Sequence, residues 1–142
     1  MRIALAEAEA AAERGEVPVG AVVVADGRVL ARAGNRTEEL ADPTAHAEML
    51  AIRAAAAAIG APRLAECDLY VTLEPCPMCA AAISFARIRR LYYGAYDPKG
   101  GGVEHGPRIF AHPTCHHTPE IYGGIEEGRC GELLRAFFRA RR

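Results

Sequence analysis

Cys67-Asp68-Leu69-Tyr70-Val71-Thr72-Leu73-Glu74-Pro75-Cys76-Pro77-Met78-Cys79 is the stretch on which the fold turns. Its first half, Cys67 to Leu73, is a short apolar run with β-branched and aromatic side chains, and reads as a central strand. Pro75 breaks that strand. Pro77 suits the first position of a helix, which leaves Cys76 as N-cap and a helix running to about Ala86. Arg90 to Ala95 follows as another strand. Upstream, residues 1–14 read as an amphipathic helix, with Ile3, Leu5, Ala8, Ala11 and Ala12 near one face and Gly15 as its stop. Val17 to Ala25 is a near-continuous β-branched run, the pattern of a buried strand. Asp26-Gly27 signals a hairpin into a second strand, Arg28 to Ala33. After the polar loop Asn35 to Asp42, Pro43 and Thr44 introduce an Ala-rich helix through about Ile59, with Thr44 as N-cap and Gly60 closing it. Downstream come a Gly-rich loop from Lys99 to Gly106, a loose His-containing segment, a short last strand at Ile121-Tyr122 and a terminal helix from Glu126 to Arg142. Alternating helices and strands favour α/β, with helices on both faces of the sheet. No repeat or linker divides the chain, so residues 1–142 are expected to form a single domain.

Composition agrees with a globular protein. The 142 residues are 51% apolar and 25% charged, which excludes disorder, collagen and coiled coil. A domain of this length buries about 70% of its unfolded surface. No apolar run approaches the roughly 18 residues that span a bilayer. Glu7, Glu9 and Glu13 interrupt any apolar core of an export signal, so the expected location is the cytoplasm. Five cysteines, an odd number without an export signal, suit metal binding or burial better than a disulfide framework. The net charge of −1 hides a split. Residues 1–75 carry 7 basic and 12 acidic side chains, and residues 76–142 carry 10 and 6. The basic half is where a polyanionic partner would bind, although an Arg excess in so Ala-rich a chain also fits GC-rich coding.

The chemistry concentrates in His46-Ala47-Glu48 and Pro75-Cys76-Pro77-Met78-Cys79. Two cysteines three apart in a first helical turn lie on one face, at the positive helix end that favours thiolate. His46 is expected in the equivalent first turn of the earlier helix. One nitrogen and two sulfurs suit Zn²⁺, and three protein ligands leave a fourth position for water, as in a catalytic site. Glu48 points away from the solvent face of its helix. A buried carboxylate beside an ionisable water is a proton carrier. Alone, Cys-x-x-Cys would equally fit a redox or buried pair, and Glu48 a surface charge. The two halves together point to catalytic zinc.

These motifs resemble the zinc nucleobase deaminase superfamily. Further stretches, Glu16 to Val22, Gly34-Asn35-Arg36, Asp42 to Glu48, Leu69 to Cys76 and Phe137 to Arg142, resemble the bacterial tRNA-specific adenosine deaminases, and the likeness covers nearly the whole chain. The resemblance implies a three-layer α/β/α cytidine-deaminase-like sandwich with a five-stranded mixed sheet, a homodimer, and hydrolytic deamination of adenosine to inosine at the wobble position of a tRNA anticodon. By the same resemblance His46, Cys76 and Cys79 hold one Zn²⁺ per subunit. Glu48 moves protons while hydroxide attacks C6. The backbone around Ala47 and from Leu73 through Glu74 to Pro75 holds the leaving group and base edge. Asn35 hydrogen-bonds the extruded base and Val19 packs against it. Asp97 sits beside the target nucleotide, where an acceptor-only carboxylate reads a ribose 2′-hydroxyl.

For the RNA itself, the terminal Arg135, Phe137, Phe138, Arg139, Arg141 and Arg142 interleave cations with aromatics, a pattern that neutralises phosphates and stacks bases. Pattern alone also fits core Phe residues under a solvated Arg face. The resemblance favours contact, with Phe138 and Arg139 foremost. Lys99 and Arg87 are further candidates, and Asp97 equally fits a turn before Pro98. The chain departs from the commoner family pattern between Gly100 and Tyr122. Its His and Cys residues there lack the usual ligand spacing and are expected as loop residues rather than a second metal site. Cys67 and Cys130 are expected as buried small side chains. Two other readings stand beside this one. A deaminase of free guanine, cytosine or cytidine would not need the basic tail. A zinc-stabilised RNA-binding module would close its site with a fourth ligand.

Overall fold

The computed structural model describes residues 1–141. In chain order the elements are α1 (Arg2–Glu13), β1 (Gly20–Ala25), β2 (Arg28–Gly34), α2 (Ala47–Ile59), β3 (Asp68–Leu73), α3 (Pro77–Ala86), β4 (Arg90–Ala95), β5 (Glu120–Tyr122) and α4 (Glu127–Arg139). The five strands form one mixed sheet in the order β2-β1-β3-β4-β5. β1 runs antiparallel to both β2 and β3, whereas β3, β4 and β5 are parallel. α1 and α4 pack on one face, and α2 and α3 on the other. This is the three-layer arrangement that the alternating pattern and the resemblance implied, with Cys67 to Leu73 supplying the central strand.

Local chemistry explains most of the elements. Asp26 and Gly27 both take positive φ, 50° and 72°, the twist a two-residue hairpin requires and that glycine adopts without strain. In α2 the buried stripe is Ala47, Ala51 and Ala55, so the helix lies close on β1 and β2. The core between this helix layer and the sheet holds Leu64, Leu69, Val71, Ile83, Ile88, Leu91 and Tyr93.

Three boundaries differ from the sequence reading. The first strand begins at Gly20 rather than Val17, because Val17-Pro18-Val19 folds into a tight turn closed by Val19 N–H on Val17 O at 2.8 Å and Pro18 has no N–H for a ladder. The buried face of α1 is Ala4, Leu5, Ala8 and Ala11, which keeps Leu5, Ala8 and Ala11 of the expected face and adds Ala4, while Ile3 and Ala12 are half-buried. α2 begins at Ala47, not after Thr44. Asp42 takes the Thr44 N–H at 2.8 Å and hydroxyl at 2.7 Å, so Thr44 belongs to a turn and His46 becomes the N-cap. α4 ends at Arg139, and Arg142 lies outside the described residues. Cys67 and Cys130 are buried, as expected.

Candidate active site

Two helix starts face each other at one end of the sheet. His46 is the extended residue before α2 (φ −74°, ψ 151°) and Cys76 the extended residue before α3 (φ −69°, ψ 170°). Cys79 follows in the first turn of α3. His46 Nδ1 lies 3.6 Å from Cys76 Sγ and 3.6 Å from Cys79 Sγ. All three donor atoms fall within 4.8 Å of one another, the one such His/Cys/Asp/Glu group among the described residues. Metal–nitrogen and metal–sulfur bonds of about 2.05 and 2.3 Å at a tetrahedral angle would separate N and S by about 3.6 Å. The spacing therefore fits a tetrahedral metal, and the residues are a candidate metal site. No fourth His, Cys, Asp or Glu joins the group among the described residues.

Electrostatics favour the same use. Cys76 ionises at about 4, because Cys79 donates to it and His46 assists, against the cost of burial. The same contact holds Cys79 protonated while the pair shares one proton, with burial acting in the same direction. His46 is raised by its bond to Cys76. The positive ends of α2 and α3 converge here and favour thiolate. Glu48 is 4% exposed, and burial pushes its carboxyl up to about 7. The sequence placed it on the inner side of α2, and it is there.

Two loops frame this centre, each tied to a buried carboxylate. Glu16 accepts from Glu38 N–H at 3.2 Å, Glu39 N–H at 2.8 Å and Thr37 hydroxyl at 3.4 Å, which anchors the loop between Asn35 and His46. Glu74, at the end of β3, accepts from the N–H groups of Asp97, Val103, Glu104 and His105. Burial raises its pKa, but these bonds and the His105 ring outweigh it and hold the carboxyl below its ordinary value. Sequence reasoning missed Glu16, His105 and the structural role of Glu74. Acidic residues beside valines and prolines carry no mark of burial, and their partners are backbone N–H groups far along the chain.

The structure reassigns several candidate contacts. Asn35 Oδ1 accepts the Ala47 N–H at 2.8 Å, so that N–H is already occupied and only the Asn35 amide nitrogen remains for a base. Glu74 is 2% exposed and its carboxylate is spent on the loop, which leaves its backbone, with that of Pro75, for substrate. Val19 is buried in the core beside Asn35, whose N–H bonds Val19 O at 3.1 Å. Arg87 is committed to His116 O at 2.9 Å rather than free for phosphate. His112 and His117 bond backbone oxygens of Pro107 and Ile88, as loop residues do.

Beside Leu73 opens a cleft of about 1020 Å³, bordered by Tyr96, Asp97, Lys99, Arg135, Phe138 and Arg139 among others. The two readings of the terminal helix divide between neighbours. Phe137 is 8% exposed and belongs to the interior, whereas Phe138 is 47% exposed on the cleft. Arg139 and Arg135 both pair with Glu132, at 2.8 and 3.3 Å. Arg141 lies 3.5 Å over the Phe137 ring. Asp97 also divides. Its Oδ1 caps its own turn on the N–H groups of Lys99 and Gly100, while Oδ2 has no hydrogen bond among the described residues. Tyr96 is a cleft residue that the sequence did not single out. No helix among the described residues is long and apolar enough to cross a membrane.

A family model described as MafB19-like deaminase matches residues 1–142. A tRNA-specific adenosine deaminase of Agrobacterium fabrum is 66% identical over 142 residues, covering 100% of this chain and 93% of the relative. One of Bacillus subtilis is 46% identical over 139 residues, covering 98% and 86%. A solved structure from work on A-to-I editing by tRNA:A34 deaminases at the wobble position of transfer RNA superimposes with a TM-score of 0.93 at 66% identity, covering 94% of this chain and 97% of that one.

Proposed function

The chain belongs to the MafB19-like deaminase family, and from that premise we propose that it deaminates adenosine to inosine at the wobble position of a tRNA anticodon, with water as co-substrate and ammonia as product. The observation that carries the reading is the His46, Cys76 and Cys79 donor triangle with a buried carboxyl, Glu48, on the adjoining helix turn. These three residues would hold one Zn²⁺. Two thiolates and an imidazole suit that ion, and the 3.6 Å spacings suit its tetrahedral preference. When bound, Zn²⁺ supplies Lewis acidity that brings ionisation of water toward neutral pH.

The chain's own residues do the rest. Glu48, desolvated and able to hold or release a proton near neutrality, takes one proton from water and delivers it to the purine ring nitrogen, then takes the second from the hydroxyl added at C6 and delivers it to the amino group, which leaves as ammonia when the C–N bond breaks. Asn35 orients the base through its amide nitrogen, while its oxygen secures the start of α2. Val19 closes the apolar side of the base site. The backbone of Glu74 and Pro75, at the strand end that leads into Cys76, lines the base edge.

The RNA lies along the basic, aromatic-edged cleft. Phe138 offers an exposed ring for stacking and Lys99 a phosphate partner, and Arg139 would become a second by exchanging its exposed pairing with Glu132 for a phosphate. Asp97 reads the ribose 2′-hydroxyl through the oxygen its turn leaves free. The working unit is a homodimer located in the cytoplasm. In support of the dimer, Phe85 is 66% exposed on α3, at the lip of a groove of about 370 Å³ that includes Ala81 and Ile109. A large ring left bare on the helix that bears the metal ligands suits burial against a second copy.

The test is inosine formation at the first anticodon position of an adenosine-containing tRNA stem-loop, run beside free cytidine, cytosine and guanine, with metal analysis. Glu48→Ala should lower turnover by about 10²- to 10⁴-fold while metal content and RNA binding survive. Ammonia released from a free base or cytidine, with none from the stem-loop, would overturn the tRNA assignment.

A further inference from the structure

We propose that Glu74 is a positioning residue that fixes Asp97 at the rim of the cleft, with His105 as its second tie, so that one buried carboxylate sets the distance between the metal centre and the group that reads ribose. The proposal rests on the role of Asp97 given above and assigns what holds that role in place.

The loop from Asp97 to His105 is a strap drawn onto a single side chain. Glu74 Oε1 accepts from Asp97 N–H at 3.0 Å and meets His105 Nδ1 at 2.8 Å. Its Oε2 accepts from Val103 N–H at 3.2 Å, Glu104 N–H at 2.9 Å and His105 N–H at 3.1 Å. Both ends of the strap are therefore held at one point. Its middle is tied to the metal-bearing segment, because Gly102 N–H bonds Pro75 O at 2.7 Å. The approach is too close for a side chain. A Cβ on Gly101 would stand 2.5 Å from Glu74 Oε2 and 2.5 Å from Asp97 O.

A carboxylate removed from water is costly unless hydrogen bonds replace its hydration. Five donors do so here, and each also loses if the carboxylate is removed. The strap is consequently stiff where it begins, at Asp97. Glu74 stands two residues before Cys76, so the strand end that delivers a sulfur to the metal site also delivers the anchor for Asp97. A carboxylate that reads a hydroxyl needs placement within a few tenths of an ångström, and a loop held only by solvent would not provide it.

Glu74→Gln tests this. The amide keeps the volume but offers one acceptor oxygen, and its NH₂ meets N–H donors head on. On an RNA stem-loop we expect kcat/KM to fall by about 10- to 100-fold, mostly through KM, with metal content unchanged. The preference for the all-ribose stem-loop over one carrying 2′-deoxy at the target and neighbouring nucleotides should fall to that of Asp97→Ala. Adding Asp97→Ala to Glu74→Gln should cost less than about twofold more, since both changes remove one function. Backbone amides of Val103 and Glu104 should exchange faster. His105→Ala removes one tie only; it should move the same ratio in the same direction by a smaller factor, and it carries the test if Glu74→Gln does not fold. Variants that keep the wild-type ribose preference, or losses from Glu74→Gln and Asp97→Ala that multiply, would overturn the role of Glu74. Wild-type protein inactive on the RNA stem-loop would instead overturn the functional reading, and this proposal with it.

Discussion

Replacing Asn35 separates the hydrogen bond its oxygen makes from the base contact proposed for its amide nitrogen. A helix start normally finds a hydrogen-bond acceptor in its own N-cap residue. Here the N-cap is His46, whose ring faces the sulfurs and makes no capping bond among the described residues. Asn35, from the end of the hairpin, supplies the missing acceptor by taking the Ala47 N–H at 2.8 Å. Ala47 is fully buried, so Asn35→Ala leaves a buried donor unpaired, at a cost of about 1–3 kcal/mol. For a domain of this size that corresponds to a fall in Tm of roughly 3–12 °C. Asn35→Asp keeps an acceptor, now charged and near the positive end of α2. It should melt within about 2 °C of wild type yet lose deamination, because the amide nitrogen that orients the base is gone. The assay is thermal unfolding by circular dichroism on zinc-loaded protein, paired with inosine formation. Asn35→Ala melting within a degree of wild type would refute the capping argument, and Asn35→Asp losing as much stability as Asn35→Ala would refute the account of why the oxygen matters.

Chelating the metal should abolish deamination and lower Tm, since an ion that binds only the folded state stabilises it by RT ln(1 + c/Kd), with c the free ion concentration; added Zn²⁺ should restore both, and activity that survives exhaustive chelation would remove the metal from the account. Phe85→Glu should convert the proposed dimer to monomer in sedimentation analysis, and a dimer that persists unchanged would move the interface off this groove. Asp42 is held below the ordinary carboxylate range by hydrogen bonds from the Thr44 hydroxyl and N–H. Its contribution is therefore present above the ordinary carboxylate pKa and is lost as pH falls through the lowered value. Thr44→Val should move its titration upward by NMR, and an unmoved titration would show that the turn before His46 is held by something else.

The candidate metal donors were legible because their signals are local. Pro77 after Cys76 marks a helix start by the chemistry of one peptide unit, and the spacing to Cys79 is a property of a single turn. The Asp26-Gly27 hairpin is readable for the same reason. His46 was singled out as a candidate ligand but misplaced by one element boundary, since Asp42 competes for the Thr44 donors and delays the helix. That competition involves residues two apart and lies at the edge of what composition reveals.

Other features depend on which residues meet across the sheet. Phe137 and Phe138 are adjacent and chemically equal, yet one is interior and the other borders the cleft, because the rotation of α4 against β3 and β4 decides it. Glu16 and Glu74 look like surface acids until loops more than 20 residues away bring backbone N–H groups to them. Arg139 looks like a free cation until the helix turns Glu132 beside it. The amino-acid order alone determined the donor types and the strand and helix order, because those rest on covalent spacing and local propensity; the deaminase chemistry rests on the family resemblance that the same order carries. Tertiary structure decided which carboxylates hold loops, Glu16 and Glu74, because burial and hydrogen-bond partners exist only once distant segments share one site.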